Sequence, residues 1–208
     1  MKISSPLTPI HSYVKGMLMA ADWTSVSQAL VLGLGGGCLV RSLYARNPGT
    51  IPDIVEFRAA VVSIARDYFP LPDSPLITVY TEDAACFLAK EGDRKYDCIF
   101  SDLYSAHAVA PCQETEEFLL RCRRKLTPHG WLVLNYHQVP VPGSLLYNAL
   151  YRIFSCVLFG RAANGNIIVY ARRHHNEAGL PSLQQLADEA AGHPSSVRTR
   201  RKGETHSR

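Results

Sequence analysis

Short apolar runs alternate with amphipathic stretches along most of this chain. Ala29-Leu30-Val31-Leu32 is a compact apolar run that ends in glycines, the pattern of a buried parallel strand. Cys38 to Arg46 follows with helical spacing. The alternation continues with a strand over Ile51 to Phe57, and a helix over Ala59 to Tyr68 with Val62, Ile64, Ala65 and Tyr68 as its apolar positions. A strand over Leu76 to Tyr80 and a helix over Ala84 to Lys90 come next. Tyr96 to Phe100 is a fourth strand that stops at Ser101-Asp102. A looser stretch, Leu103 to Cys112, leads into a helix over Glu114 to Leu126. Pro128-His129-Gly130 is a turn, and Trp131 to Asn135 is a fifth strand. A helix over Leu145 to Phe154 precedes a closing strand pair, Cys156 to Phe159 and Asn166 to Ala171. Ala163-Asn164-Gly165 supplies hairpin-turn chemistry between the two.

Strands separated by helices predict an α/β fold, a doubly wound and mainly parallel sheet. The chain divides into three parts: an N-terminal helical segment over 1–28 with His11-Ser12-Tyr13 near its start, a Rossmann-like domain over 29–172, and a tail over 173–208. Ligands on such sheets sit beyond the carboxyl ends of the strands. The residues just past those ends are Gly33 to Gly37, Glu56, Glu82-Asp83 and Asp102.

Charge adds one constraint. The formal net charge is +4, and the segment from His193 to Arg208 holds five cations against one anion. The tail accounts for the whole excess, so the body is neutral and offers no built-in phosphate-binding face. Nucleic acid is not an expected partner. The tail is rich in Ser, Thr, Arg and Gly and is expected to be disordered, with a short helix over Leu183 to Ala191. The six cysteines, at 38, 86, 98, 112, 122 and 156, form no Cys-x-x-Cys pair, so they are expected to be reduced thiols and no metal site is expected. No apolar run approaches the ~20 residues of a membrane helix, and the N-terminus makes a poor signal peptide. A cytoplasmic protein with no membrane partner is expected.

The candidate chemistry starts at the glycine turn. Glycines between a strand and a helix let backbone N–H groups approach a ligand with no Cβ in the way. The dinucleotide fingerprint needs a glycine at 38, where Cys38 stands. Gly33, Gly35 and Gly37, with Gly36 between them, instead match the Gly-x-Gly-x-Gly spacing of nucleoside-sulfonium transferases; the alternative is a turn that only packs. Glu56 ends the second strand, where a carboxylate can accept from both ribose hydroxyls or stand as an exposed strand-end acid. Asp83 can accept from an adenine amino group or cap the helix that follows it. Asp102 lies beside the expected sulfonium position; it can orient or deprotonate an attacking amine, or cap its strand. His107, on the following loop, and His137, after the fifth strand, are more often structural or exposed than catalytic.

Several of these strings together resemble the spermidine synthases and their relatives. Val31-Leu32-Gly33-Leu34-Gly35-Gly36-Gly37 resembles the cofactor loop of that family. Val55-Glu56-Phe57, Val61 to Phe69, Glu82-Asp83-Ala84, Tyr96 to Ile99 and Leu126 to Gly130 continue in register, and the resemblance spans 27–172. It implies a class I S-adenosylmethionine-dependent methyltransferase-like fold in a short form without the family's N-terminal β-domain. By position, Gly33 to Gly37 contact the cofactor, Glu56 holds the ribose, Asp83 holds the adenine and Asp102 is the catalytic acid.

The resemblance also implies decarboxylated S-adenosylmethionine as cofactor, a small amine as acceptor, and a homodimer. Three departures stand out. Cys38 and Ser105 replace two expected acids, and Arg58 replaces a third. A pocket for a dication and a sulfonium needs several carboxylates, so the departures weaken diamine recognition and leave adenosine recognition intact. Three functions remain open: aminopropyl transfer, methyl transfer from S-adenosylmethionine to another nucleophile, and a non-catalytic nucleoside-binding role.

Overall fold

The computed structural model of this chain describes residues 11–69, 71–72, 74–105 and 108–174, together with the backbone of 196–199. His107 lies outside the described residues, as do the expected helix over 183–191 and most of the tail.

The five strands β1 (Gln28–Leu32), β2 (Ile51–Glu56), β3 (Thr78–Thr81), β4 (Tyr96–Ser101) and β5 (Leu126–Tyr136) are mutually parallel where they pair. β6 (Cys156–Arg161) and β7 (Ile167–Arg172) form an antiparallel hairpin, and β7 pairs antiparallel with β5. A short strand β8 (Ser196–Thr199) pairs antiparallel with β6, so four residues of the segment expected to be disordered are in the sheet. The spatial order is β3-β2-β1-β4-β5-β7-β6-β8. Order reverses between β1 and β4, which is the switch point where such sheets open a crevice.

Side chains of successive strand residues leave the sheet on opposite faces, and the core follows that period of two. Ala29, Val31, Cys98, Phe100, Trp131, Val133, Ile168 and Tyr170 join one apolar layer. Leu30, Leu32, Ile99, Leu132, Leu134 and Val169 join the other. The first layer is covered by α1 (Ser12–Leu18), α2 (Cys38–Arg46) and α3 (Ala59–Tyr68), and the second by α4 (Ala84–Ala89), α5 (Glu116–Lys125) and α6 (Leu145–Ile153). In α3 only Val62 and Ala65, three apart, face inward. Ile64 and Tyr68, four apart on the other side, are exposed, so only two of the four apolar positions reach the core.

Two local findings depart from the sequence reading. Pro128-His129-Gly130 is not a turn before a strand but a bulged stretch inside β5. Leu126 stands opposite Tyr96 while Trp131 stands opposite Cys98, so the ladder slips there. The Arg173 side chain donates to the Leu126 carbonyl, and its backbone N–H to the Gly130 carbonyl, so the bulge keeps its hydrogen bonds. α5 also begins two residues later than expected. Thr115 caps it by accepting from Phe118 N–H, and a 3₁₀ turn over Pro111–Glu114 precedes it.

The N-terminal helix is built into the body. Val14, Met17 and Leu18 are buried, and the Tyr170 hydroxyl donates to the Gly16 carbonyl at 2.6 Å. Trp23 packs edge-on against Trp131, with ring centroids 5.2 Å apart.

At the switch point, Gly33 has a φ of 91°, and a Cβ there would lie 2.5 Å from the Asp102 carbonyl oxygen. Both the backbone conformation and the space demand glycine. Gly33→Ala is expected to cost at least about 1–3 kcal/mol, the range for a strained backbone site. Urea unfolding that gives wild-type stability would contradict this packing.

Candidate active site

A cavity of about 730 Å³ opens over the carboxyl ends of β1, β2, β4 and β5. That size falls within the range of small-molecule sites. It brings together five of the residues singled out from sequence: Gly33, Gly35, Glu56, Asp83 and Asp102. Gly36 and Gly37 are not in its lining. Gly36 faces the Phe69 ring, and its carbonyl accepts from Arg41 Nη1 at 2.7 Å. Gly37, with φ 69°, is the residue before α2, and a Cβ on it would meet Leu71 at 2.6 Å. These two shape the loop from beneath.

Glu56 is 5% exposed and its two oxygens have separate tasks. Oε2 accepts from Leu34 N–H at 3.1 Å, fixing the glycine loop to the end of β2. Oε1 accepts from Arg58 N–H at 3.0 Å, with the Arg58 side chain 3.5 Å away. An ionised carboxylate offers about four lone-pair directions. Arg58 N–H and Nε take both directions on Oε1 and Leu34 N–H takes one on Oε2, so one remains, and Glu56 is a braced acid rather than an exposed strand-end acid. Asp83 caps α4, its Oδ1 accepting from Cys86 N–H at 3.0 Å, while it lines the cavity. Glu82 is held at 2.7 Å by Lys90 and lines the same wall.

Asp102 has a different environment. Asn135 Nδ2 donates to its Oδ1 at 2.8 Å. The Tyr13 hydroxyl, on α1, hydrogen-bonds to the same carboxylate. Burial raises the Asp102 carboxyl pKa above its ordinary value, and the hydrogen bonds from Asn135 and Tyr13 and the nearby His11 work against that rise. Its acidity is therefore tuned by groups on α1 and β5. The Tyr13 and Tyr104 hydroxyls are pushed up, first by burial and then by the Asp102 charge. Tyr104 stacks on His137, with centroids 4.9 Å apart, and donates to the Asn135 carbonyl at 3.0 Å.

Gln113 braces this end of the sheet from behind. It is fully buried; its Oε1 accepts from Ser101 Oγ at 2.6 Å and its Nε2 donates to the Asn135 carbonyl at 2.9 Å. The ends of β4 and β5 are thus fixed relative to each other. Sequence reasoning singled out none of Tyr13, Asn135, Asn164, Asn166 or Gln113 as site residues. The available signal was positional: Asn135 ends the fifth strand, where ligand-facing residues are expected. Among the described residues no group of three His, Cys, Asp or Glu side chains is arranged to hold a metal ion, and no helix is long and apolar enough to cross a membrane.

The sheet order and the cavity at the switch point define a class I methyltransferase-like fold. The chain superimposes on a probable spermidine synthase from Corynebacterium glutamicum with a TM-score of 0.77 at 17% identity, covering 100% of this chain and 86% of that one. It superimposes on human methyltransferase-like protein 13 in complex with SAH with a TM-score of 0.72 at 22% identity, covering 88% and 90%. No protein-family model matches the chain. In sequence it is 26% identical over 200 residues to a polyamine aminopropyltransferase of Chromobacterium violaceum, covering 92% of this chain and 75% of that protein. It is 33% identical over 137 residues to the polyamine aminopropyltransferase of Alkaliphilus metalliredigens, covering 63% of this chain and 46% of that one. The chain therefore spans about half the length of the second relative. In sequence the chain is thus similar to polyamine aminopropyltransferases, and in fold to a probable spermidine synthase and a methyltransferase-like protein.

The raised pKa of Asp102 has a stability consequence. A carboxyl whose folded pKa exceeds its unfolded value contributes stability below the unfolded value, and that contribution is lost as pH rises through the folded value. Asp102→Asn keeps the shape and removes the charge. Its melting temperature is expected to equal or exceed wild type at pH 7, with the difference vanishing on acidification toward about pH 4. A clear drop in melting temperature at pH 7 would show that the charge itself holds the site together.

Proposed function

We propose that this protein is a group transferase of the spermidine synthase type. In this reading it moves an aminopropyl group from decarboxylated S-adenosylmethionine to a small amine. The observation that carries it is one cavity lined by acids from the ends of β2, β3 and β4. Gly33, Gly35, Glu56 and Asp83 make up the first half of this reading, and Asp102 with Tyr13, Tyr104 and Asn135 the second.

The first half suits an adenosine group. Gly33 and Gly35 present backbone without a Cβ, Glu56 keeps a lone pair on Oε2 for a ribose hydroxyl, and Asp83 keeps its second oxygen for an exocyclic amine. A bound sulfonium supplies an activated carbon and a neutral thioether leaving group. The protein's part is to hold the acceptor amine neutral and aligned. Asp102 can accept its proton, and the raised pKa of that carboxyl makes it a stronger base than an exposed aspartate. A specific observation also favours methyl transfer from S-adenosylmethionine as a second reading. Cys38 stands at the start of α2 where an acid is expected to bind the cationic amine end of the decarboxylated cofactor.

Four measurements test the reading. Calorimetry with S-adenosylmethionine, its decarboxylated form and methylthioadenosine is expected to show binding, with the decarboxylated form preferred over S-adenosylmethionine. The reverse preference would favour methyl transfer, and no binding of any of the three would sink both readings. Glu56→Ala is expected to weaken binding by roughly 1.5–3 kcal/mol, the value of hydrogen bonds to a charged group. Putrescine is expected to be a poor acceptor, because Cys38 and Ser105 stand in place of two acids. With a competent amine, Asp102→Asn is expected to lower turnover by about a hundredfold while sparing cofactor affinity. Rapid spermidine formation from putrescine would show the electrostatic argument to be wrong.

A further inference from the structure

The hydrogen bond that Asn135 gives to Asp102 is the last of a series. Asn135 Oδ1 accepts from Asn166 Nδ2 at 2.8 Å. Asn166 Oδ1 accepts from Asn164 Nδ2 at 2.9 Å. Asn164 Oδ1 accepts from Ser12 Oγ at 3.0 Å, and Ser12 Oγ in turn accepts from Asn164 N–H at 3.1 Å. The series runs from α1, through the β6–β7 turn, to the end of β5, and ends on the carboxylate.

Every link in it points the same way. A backbone N–H can only donate, so the Ser12 oxygen accepts from Asn164 and its single proton is free for the Asn164 side chain. Ser12 Oγ gives that proton to Asn164 Oδ1, which turns the Asn164 NH₂ toward Asn166. The same logic turns Asn166 toward Asn135, and Asn135 toward Asp102. An ionised carboxylate only accepts, so the far end demands the same sense. Aligned amide dipoles polarise one another, and each strengthens the next donor. Asn135 is buried and Asn164 is exposed, so the array carries an orientation set at the surface into the site.

We infer that Asn135, Asn166 and Asn164 are positioning residues that hold Asp102 ionised and aimed into the cavity, and that docking of α1 sets the array through Ser12. The α1 helix then acts on Asp102 twice, through Ser12 at the head of the array and through Tyr13 at the carboxylate itself. The catalytic part of this inference rests on the transferase reading above; the orientation and ionisation of Asp102 do not. The other titratable groups around the carboxylate are His11 and Tyr13 from α1, Tyr104 after β4, His137 stacked on Tyr104 after β5, and Cys38 at the start of α2 beside Tyr13. None of them is a link in the array.

Carbon-13 NMR of the aspartate carboxyls of the full chain tests the inference without an acceptor, with Asp102→Asn identifying the signal. Asn166→Ala and Ser12→Ala are each expected to move the Asp102 titration to higher pH, by up to about one pH unit, the equivalent of one net hydrogen bond. Ser12→Thr, which keeps the hydroxyl, is expected to titrate as wild type. Should Asn166→Ala fail to fold, the two Ser12 variants decide the matter alone. An unchanged Asp102 titration in Ser12→Ala, or a Ser12→Thr variant that shifts like Ser12→Ala, would overturn the proposal. Methylthioadenosine calorimetry on the wild type separates the two ideas. Lack of binding would remove the transferase reading, while the NMR titration would still judge the array.

Discussion

The carbonyl oxygen of Asp102 fills the space that any side chain at residue 33 would need. This close approach lets β1 and β4 end side by side, with the glycine loop on one flank and the Asp102 carboxylate on the other. The ladder reinforces it from both sides: Gly33 N–H donates to the Val55 carbonyl, and Asp102 N–H to the Leu32 carbonyl. Three strands thus finish at one level. Glu56, at the end of β2, then reaches the loop through Leu34 N–H. The geometry of the cavity follows from one missing Cβ.

Glu56 and Asp102 meet the cost of burial in different ways. Glu56 is almost wholly enclosed, yet two backbone N–H groups point at its oxygens, and such donors stabilise the charged form. Asp102 has side-chain donors instead, and burial still dominates its acidity. Backbone donors are fixed by the fold; side-chain donors depend on rotamers and on the neighbours that hold them. Glu56 is therefore rigidly set, and Asp102 is adjustable.

Much of this was legible in the sequence because apolar runs of four to six residues have few alternatives when glycine or acid follows. β1, β2 and β4 were read to within a residue or so for that reason, and Glu56 and Asp102 followed from their places at strand ends. The bulge in β5 was not legible: Pro128 and Gly130 carry turn chemistry, and the bonds of Arg173 to Leu126 and Gly130 and of Thr127 to Asp97 join residues far apart in sequence. The array of asparagines was hidden for a similar reason. Asn164 and Asn166 flank Gly165 in a hairpin, where asparagine is expected for its backbone habits alone. Their link to Asp102 joins residues far apart in sequence, and neither periodicity nor spacing encodes such a contact. Tyr13 was placed in a leading helix, but nothing in the pattern said which end of the sheet that helix would cover.

The order of strands has a consequence for biosynthesis. β7 lies between β5 and β6, so β6 has no hydrogen-bonded neighbour from the body of the sheet until β7 is inserted. On the ribosome, Cys156 to Arg161 emerges as an apolar strand with both edges open, a segment apt to pair wrongly until residues 167–172 follow. The same insertion brings Asn166 to Asn135. The nascent chain can complete its glycine loop and its Glu56 brace well before this point, and the contact of Asn166 with Asn135 forms only when β7 is inserted.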